Sequence, residues 1–183
     1  QDRIKKSHIN IEANTMTVGL ANPDSENISI EWFIKNNDIA FRYLIPKQKN
    51  GETGCVVITE EATGFHFPDF TTTFITPQSD AMIGWKRTKP SYEEEYAADA
   101  PLNAPSKYGH GYTFPALFHV GDNGWALISE TGVDGGFCGS RLSDVNNGTY
   151  TVAYPMPEEN NGNGSAAPGI ALPGATPWRT ITI

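Results

Sequence analysis

The chain has 183 residues, with 13 Lys and Arg against 21 Asp and Glu, and a formal net charge of −8 at pH 7. This length corresponds to one domain with a sizeable core. The acidic balance lacks the basic patch of a nucleic-acid-binding protein, so we expect no nucleic-acid partner. The apolar runs are too short for a membrane span, and the N-terminal segment lacks the apolar centre of a signal peptide. We therefore expect a soluble domain, with any export signal outside this chain.

Short segments rich in β-branched and aromatic residues follow one another along the chain. Turns rich in Gly, Asn and Asp separate them, and no helical periodicity lasts longer than about ten residues. This pattern predicts an all-β fold, an antiparallel β-sandwich. The predicted strands are residues 15–21, 28–35, 39–46, 55–61, 72–77, 113–120, 125–130, 148–155 and 179–183.

Two segments interrupt the succession of strands. In the first, Ser91 as N-cap and Glu94 at the capping-box position predict one helical turn near residues 91–98, which Pro101 ends. The second, residues 155–177, is rich in Pro, Gly and Asn. Loops of this length are usually functional or mobile, so we expect residues 157–169 to be mobile.

The cysteines and histidines carry no catalytic or metal-binding signature. Cys55 and Cys138 are too few for a disulfide framework and lack metal-ligand spacing. We interpret them as two buried thiols, with one long-range disulfide as the alternative. His66, His110 and His119 have no sequence neighbour that marks a general base, and we interpret each as structural or exposed.

Four glutamates are candidates for a catalytic or metal-binding role. Glu93, Glu94 and Glu95 are adjacent, and because adjacent side chains diverge, they indicate a solvated face rather than a catalytic or metal-binding cluster. Glu130 ends an apolar strand, directly before Gly-rich turns. From the residues alone, it is a solvent-facing glutamate at the start of a turn.

Seven short elements, in a fixed order, resemble a known family. They are NDIAFRYLIP, EEATGFHFP, WKRTKPSYEEEY, GYTFPALF, GWALISETGV, CGSRLSD and GIALPGATPWRTITI. From Ile11 to Ile183 the sequence resembles the N-terminal domain of glycoside hydrolase family 97. The resemblance implies a galactose-mutarotase-like β-super-sandwich that precedes a catalytic (β/α)8 barrel. Family members are periplasmic, exo-acting α-glucosidases or α-galactosidases.

The sequence lacks parts of the family pattern, and these missing parts determine which activity we expect of the chain itself. The usual opening strands and the barrel are absent, so residues 1–183 are expected to be a partial domain of an exported enzyme. Glycoside hydrolysis needs two carboxyl groups across one bond, and in the family both belong to the barrel. The chain alone is therefore expected to be inactive. Its expected partners are its own barrel and an oligo- or disaccharide α-glycoside. The alternative is a stand-alone β-sandwich that binds carbohydrate or protein without catalysis.

The resemblance also implies roles for individual residues. It makes Glu130 a calcium ligand in a site that the barrel completes, in keeping with the six to eight oxygen ligands that calcium takes from several segments. Trp85, Lys86 and Tyr92 are candidates for lining a sugar subsite, with ordinary packing as the open alternative. Arg179, which follows a Thr-Pro-Trp segment, is expected to anchor the junction between domains.

Overall fold

A computed structural model of the chain describes residues 10–21, 23, 27–47, 54–79, 94–157, 159 and 166–183. These residues form fourteen strands and no α-helix, which confirms the predicted all-β fold. The strands are β1 (Asn14–Leu20), β2 (Ile28–Ile34), β3 (Asp38–Ile45), β4 (Cys55–Val57), β5 (Gly64–His66), β6 (Thr72–Ile75), β7 (Ala97–Pro101), β8 (Ala116–Val120), β9 (Gly124–Thr131), β10 (Arg141–Leu142), β11 (Thr149–Ala153), β12 (Gly169–Ala171), β13 (Gly174–Ala175) and β14 (Trp178–Thr182).

One nine-stranded sheet forms the larger layer. Its order is β1-β2-β3-β14-β9-β8-β6-β7, and β13 also pairs with β3. All pairings between the described strands are antiparallel. The strand β14, formed by WRTIT, therefore lies inside the sheet, with β3 on one side and β9 on the other.

Two small sheets, β10-β11-β5 and β12-β4, accompany the large one. The first small sheet packs against it through aromatic rings. Phe67 stacks on Phe118 of β8 with centroids 4.1 Å apart, and Phe118 meets Tyr150 of β11 edge-on at 5.3 Å. Such packing of two sheets across an apolar core defines a β-sandwich. The buried hydrophobic residues of this core are Phe41, Phe65, Phe67, Ile75, Leu102, Tyr112, Ala116, Phe118, Ala126, Ile128, Leu142, Tyr150 and Val152.

All nine predicted strands have a counterpart in the structure, with ends that differ by a few residues. The prediction missed β5, β7, β10, β12 and β13, which have two to five residues each. Segments this short carry little periodicity, so their strand character depends on the partners with which they pair.

The predicted helical turn at residues 91–98 is wrong in its described part. Residues 91–93 lie outside the described residues, residues 94–96 are irregular, and Ala97 already begins β7. There β7 pairs with β6, with Thr73 opposite Ala100 and Ile75 opposite Ala97. This pairing overrides the helix preference of the alanines. Most of the predicted mobile loop also lies outside the described residues, so its mobility stays a prediction.

The remaining expectations concern single side chains. Both cysteines are free thiols, so no disulfide joins them; Cys55 is exposed and Cys138 is partly buried, so the prediction of two buried thiols is wrong for Cys55. His66 shares a hydrogen bond of 3.0 Å with Thr149, and His119 stacks on Trp125 at 4.2 Å. Across the described ranges, we find no helix with the length and apolar character needed to cross a membrane.

Candidate functional site

Glu130 and Arg179 lie opposite each other on neighbouring strands of the large sheet. Arg179 of β14 pairs with Glu130 of β9 on one side and with Phe41 of β3 on the other. Directly opposed residues of antiparallel strands project from the same face of a sheet. Phe41 belongs to the core, so the register directs the two charged side chains toward the interior as well.

Arg179 is fully buried, and its guanidinium donates four hydrogen bonds. Its Nε donates to Oε1 of Glu61 at 3.0 Å, and its Nη2 donates to Oε2 of Glu61 at 2.6 Å. Its Nη1 donates to Oε2 of Glu130 and to Oγ of Ser140, the latter at 2.9 Å. The bond with Glu61 is bidentate, the strongest arrangement of an arginine and a carboxylate. Burial lowers the pKa of Arg179, but the bonds and charges of Glu61 and Glu130 outweigh it and raise the pKa overall.

The carboxylate of Glu130 is held from two sides and has an exposed fraction of 8%. Its Oε2 accepts hydrogen bonds from Nη1 of Arg179 and from the hydroxyl of Ser140. Its Oε1 accepts one long bond, at 3.3 Å, from the backbone N–H of Ser140. Oε1 is therefore the less engaged of the two oxygens.

The backbone turns sharply just after Glu130. Gly132 has a φ of 77°, in the left-handed region where side chains are strained, and a Cβ there would lie 3.4 Å from Cδ1 of Trp178. The following loop then returns the chain to Ser140. This local geometry explains the Gly-rich turn that follows the apolar strand in the sequence.

Aromatic and sulfur-containing side chains surround the charged cluster. The hydroxyl of Tyr154 donates to Oε2 of Glu61 at 3.4 Å, and burial, followed by the charge of Glu61, raises the pKa of this phenol. The ring of Phe137 lies edge-on to Tyr154 and 6.0 Å from Cζ of Arg179. Burial also raises the pKa of the Cys138 thiol, and the negative charge of Glu130 raises it further. We call Glu61, Glu130, Ser140 and Arg179 the arginine cluster.

The arginine cluster contains one cation and two carboxylates, which leaves it with one net negative charge. Such a charge favours a cation at Oε1 of Glu130. The described residues contain no group of three His, Cys, Asp or Glu side chains that could hold a metal ion by themselves. Among the described residues, the cluster therefore offers a metal ion one weakly engaged carboxylate oxygen, Oε1 of Glu130.

The other predicted site residues either lie outside the described residues or have surroundings that differ from those expected. Trp85, Lys86 and Tyr92 lie outside the described residues. Arg179, expected at a junction between domains, is buried inside this one, and its hydrogen bonds join strands of the sandwich itself. Glu94 was expected on a solvated face, but its side chain is only 10% exposed and forms an ion pair with Lys107 at 2.9 Å.

Glu61 and Ser140 belong to the cluster but were not predicted as site residues. For Glu61, a signal exists in the sequence, because Glu60 and Glu61 follow the β-branched run 56–59 much as Glu130 follows the apolar run 125–128. A carboxylate at the end of an apolar strand must find a partner when the strand is buried. For Ser140, we find no such signal, since its position depends on the loop between β9 and β10.

Comparison with known proteins gives the class of the chain. The model of the family described as Glycosyl-hydrolase 97 N-terminal matches residues 1–183, so the chain is a domain of the glycoside hydrolase class. It belongs to the Glycosyl-hydrolase 97 N-terminal family, which confirms the resemblance found in the sequence. No curated protein matches the chain.

Solved structures agree with the family. The crystal structure of a β-arabinopyranosidase matches 95% of this chain, with 60% sequence identity and a TM-score of 0.88. A Glycoside Hydrolase Family 97 enzyme from Pseudoalteromonas sp. strain K8, in complex with panose, matches 92% of the chain, with 23% identity and a TM-score of 0.68. The same values hold for that enzyme in complex with acarbose. The chain spans only 28% of the first protein and 22% of the second.

Proposed function

We propose that the chain is the non-catalytic N-terminal domain of an exo-acting glycosidase, in which it completes the active site beside a catalytic barrel. In this role Glu130 supplies one oxygen, Oε1, to a calcium ion whose other ligands come from the barrel. Calcium would orient the sugar and stabilise negative charge near the reacting bond. The observation that carries the proposal is the fixed carboxylate of Glu130, whose Oε2 is held by Arg179 and Ser140 while Oε1 has only a bond of 3.3 Å.

The substrate proposed for the intact enzyme is a β-L-arabinopyranoside or an α-D-galactopyranoside. The similar domain of 60% identity belongs to a β-arabinopyranosidase. A β-L-arabinopyranoside has the ring stereochemistry of an α-D-galactopyranoside without the exocyclic hydroxymethyl group. A pocket that accepts one sugar therefore needs little change to accept the other, and an α-glucoside differs from both in the orientation of the hydroxyl at C4. Of the two activities that the resemblance implies, α-glucosidase and α-galactosidase, we therefore propose the second, together with activity on the related arabinopyranoside.

Hydrolysis of three aryl glycosides tests this proposal. The intact enzyme, with its barrel, and the 183-residue chain are each assayed on aryl β-L-arabinopyranoside, α-D-galactopyranoside and α-D-glucopyranoside. We expect the intact enzyme to hydrolyse the first two with a higher kcat/KM than the third, and the chain alone to hydrolyse none. A clear preference for the glucoside would refute the substrate class. Turnover by the chain alone, abolished by replacing one of its own carboxylates, would refute its non-catalytic role.

Glu130→Gln tests the calcium ligand. The substitution keeps the shape of the side chain but removes its formal charge, and calcium affinity depends on the number of charged oxygens. In the intact enzyme we expect calcium to bind at least about tenfold more weakly, equivalent to ~1.4 kcal/mol, with lower turnover and a retained fold. Calcium titration by calorimetry and circular dichroism measure the two effects. Unchanged calcium affinity in a folded variant would remove Glu130 from the metal site.

A further inference from the structure

The two carboxylates of the arginine cluster bind Arg179 unequally. Glu61 uses both of its oxygens and takes Nε and Nη2 of the guanidinium, at 3.0 and 2.6 Å. Glu130 uses only Oε2 and takes only Nη1, which it shares with Ser140. The side chain of Glu61 is 5% exposed, so water screens its charge poorly and its attraction to Arg179 is strong.

We propose that Glu61 and Ser140 are positioning residues that keep Glu130 available as a calcium ligand. Glu61 neutralises Arg179 and occupies the paired donors of its fork. Ser140 holds Oε2 of Glu130 through its hydroxyl, which leaves Oε1, with one long bond of 3.3 Å from the backbone N–H of Ser140, to face the cation. The inference rests on the proposed function, because it assumes that Glu130 binds calcium.

The geometry of the guanidinium explains why Glu61 is required. Arginine prefers to bind a carboxylate through two parallel N–H bonds. If Glu61 lost its charge, Glu130 would be the only carboxylate in the cluster, and the fork could turn to bind both of its oxygens. That rotation would occupy Oε1, and the cluster would change from one net negative charge to neutral. Both changes oppose binding of a cation at Glu130.

Ser140 acts on orientation rather than on charge. Its hydroxyl donates to Oε2 of Glu130, and its Oγ accepts a hydrogen bond of 2.9 Å from Nη1 of Arg179. The residue therefore bridges the ligand and the arginine at one point. Removal of the hydroxyl leaves the charges unchanged but takes away one of the two hydrogen bonds that hold Oε2, so the carboxylate is less firmly oriented. The two residues thus contribute by separable physical effects, which two variants can measure independently.

Calcium binding to the intact enzyme tests the inference. Glu61→Gln, Ser140→Ala and a control, Glu31→Gln, are stripped of metal with a chelator and titrated with calcium chloride in a calorimeter. Glu31 pairs with Arg42 at 2.7 Å in a part-buried position, so the control also removes one negative charge and one partner of an arginine. It lies outside the arginine cluster. Thermal unfolding in chelator reports the stability of each metal-free variant.

We expect Glu61→Gln to weaken calcium binding about tenfold, the lower end of the effect typical of residues that support a metal ligand. Ser140→Ala should weaken it about fivefold, the equivalent of one hydrogen bond. Glu31→Gln should stay within about twofold of the wild type. A purely structural role for Glu61 would lower the unfolding temperature without changing the calcium affinity of the folded protein, so the affinity decides between the two roles.

The outcomes separate this inference from the proposed function. If Glu130→Gln weakens calcium binding while Glu61→Gln and Ser140→Ala do not, Glu61 and Ser140 are structural and the inference is wrong. If Glu130→Gln itself has no effect, the proposed calcium ligand is wrong. If Glu61→Gln does not fold, Ser140→Ala decides, because it removes only a hydroxyl. If Glu31→Gln lost as much calcium affinity as Glu61→Gln, the effect would be due to overall charge, and the inference would be wrong.

Discussion

Replacing Arg179 by methionine should destabilise the sandwich severely. The guanidinium is fully buried, and the side chains of its two partners, Glu61 and Glu130, are 5% and 8% exposed. Methionine fills a similar volume, so the main loss is the charge that compensates two buried carboxylates. Breaking a buried ion pair by removing one partner costs about 3–5 kcal/mol, because it leaves an uncompensated charge inside the protein. We expect a loss of about 4 kcal/mol in the free energy of unfolding.

Urea unfolding of the 183-residue chain, followed by tryptophan fluorescence, measures this loss. With a slope of about 2 kcal/mol per M urea, the midpoint should fall by about 2 M. Lys35→Met is the control, because it breaks an ion pair of 2.9 Å in which both side chains are 41% exposed. Exposed pairs contribute about 0–1 kcal/mol, so its midpoint should move by less than about 0.5 M.

A triple variant separates charge from packing. Adding Glu61→Gln and Glu130→Gln to Arg179→Met removes the two uncompensated charges and leaves neutral amides of similar shape. If unpaired charge causes the loss, the triple variant should recover more than half of it. Two results would refute the reasoning. A single variant within about 1 kcal/mol of the wild type would show that the carboxylates need no buried partner, and a triple variant no better than the single one would attribute the loss to packing.

Two further predictions concern the turn after Glu130 and the titration of a buried tyrosine. Gly132→Ala should lower the free energy of unfolding in urea by about 1–2 kcal/mol, because a φ of 77° strains any side chain. The control, Gly135→Ala, should lower it far less, because there is open space at the Cβ position. Equal losses in the two variants would contradict the role of the turn. Burial, followed by the charge of Asp144, raises the pKa of Tyr112 from 10.0 to about 12. The unfolded chain therefore loses this proton first, so stability falls as pH rises between these values. Tyr112→Phe should make this fall in stability less steep, as measured by urea unfolding at pH 10 to 12. An unchanged slope would show that Tyr112 does not contribute to the alkaline loss.

Glu130 shows how much of the local structure the sequence pattern can predict. The strand is predicted correctly, but the residues alone indicate that its last residue faces solvent, and only the family resemblance makes that residue a ligand. Alternation along β9 places Ala126, Ile128 and Glu130 on one face, and the first two are 8% and 1% exposed. Because side chains in a strand alternate with a period of two, the burial of Glu130 follows from its neighbours once one face is known to be covered. The interpretation from the residues alone is wrong at that step, because the sequence does not identify which face is covered.

The partners of Glu130 could not be predicted in the same way. Arg179 is 49 residues away in the chain, and Glu61 is 118 residues from Arg179. Only the register between β9 and β14 brings the first pair together, and register depends on the whole sheet rather than on the local sequence. The same dependence explains the missed strand β12, which exists through its pairing of Gly169 with Val57. Local patterns therefore predict long strands well and contacts between distant segments poorly.

The composition of the arginine cluster argues that it serves more than stability. Buried ion pairs seldom stabilise a fold more than apolar residues of the same volume, because desolvation offsets the attraction between the charges. A single carboxylate would neutralise Arg179, and Glu61 already does so through its bidentate bonds, yet the cluster contains a second carboxylate. Glu130 therefore adds a buried negative charge beyond the one that neutralises Arg179. Such a charge is useful where a cation binds, which is the role that we propose for Glu130 in the intact glycosidase.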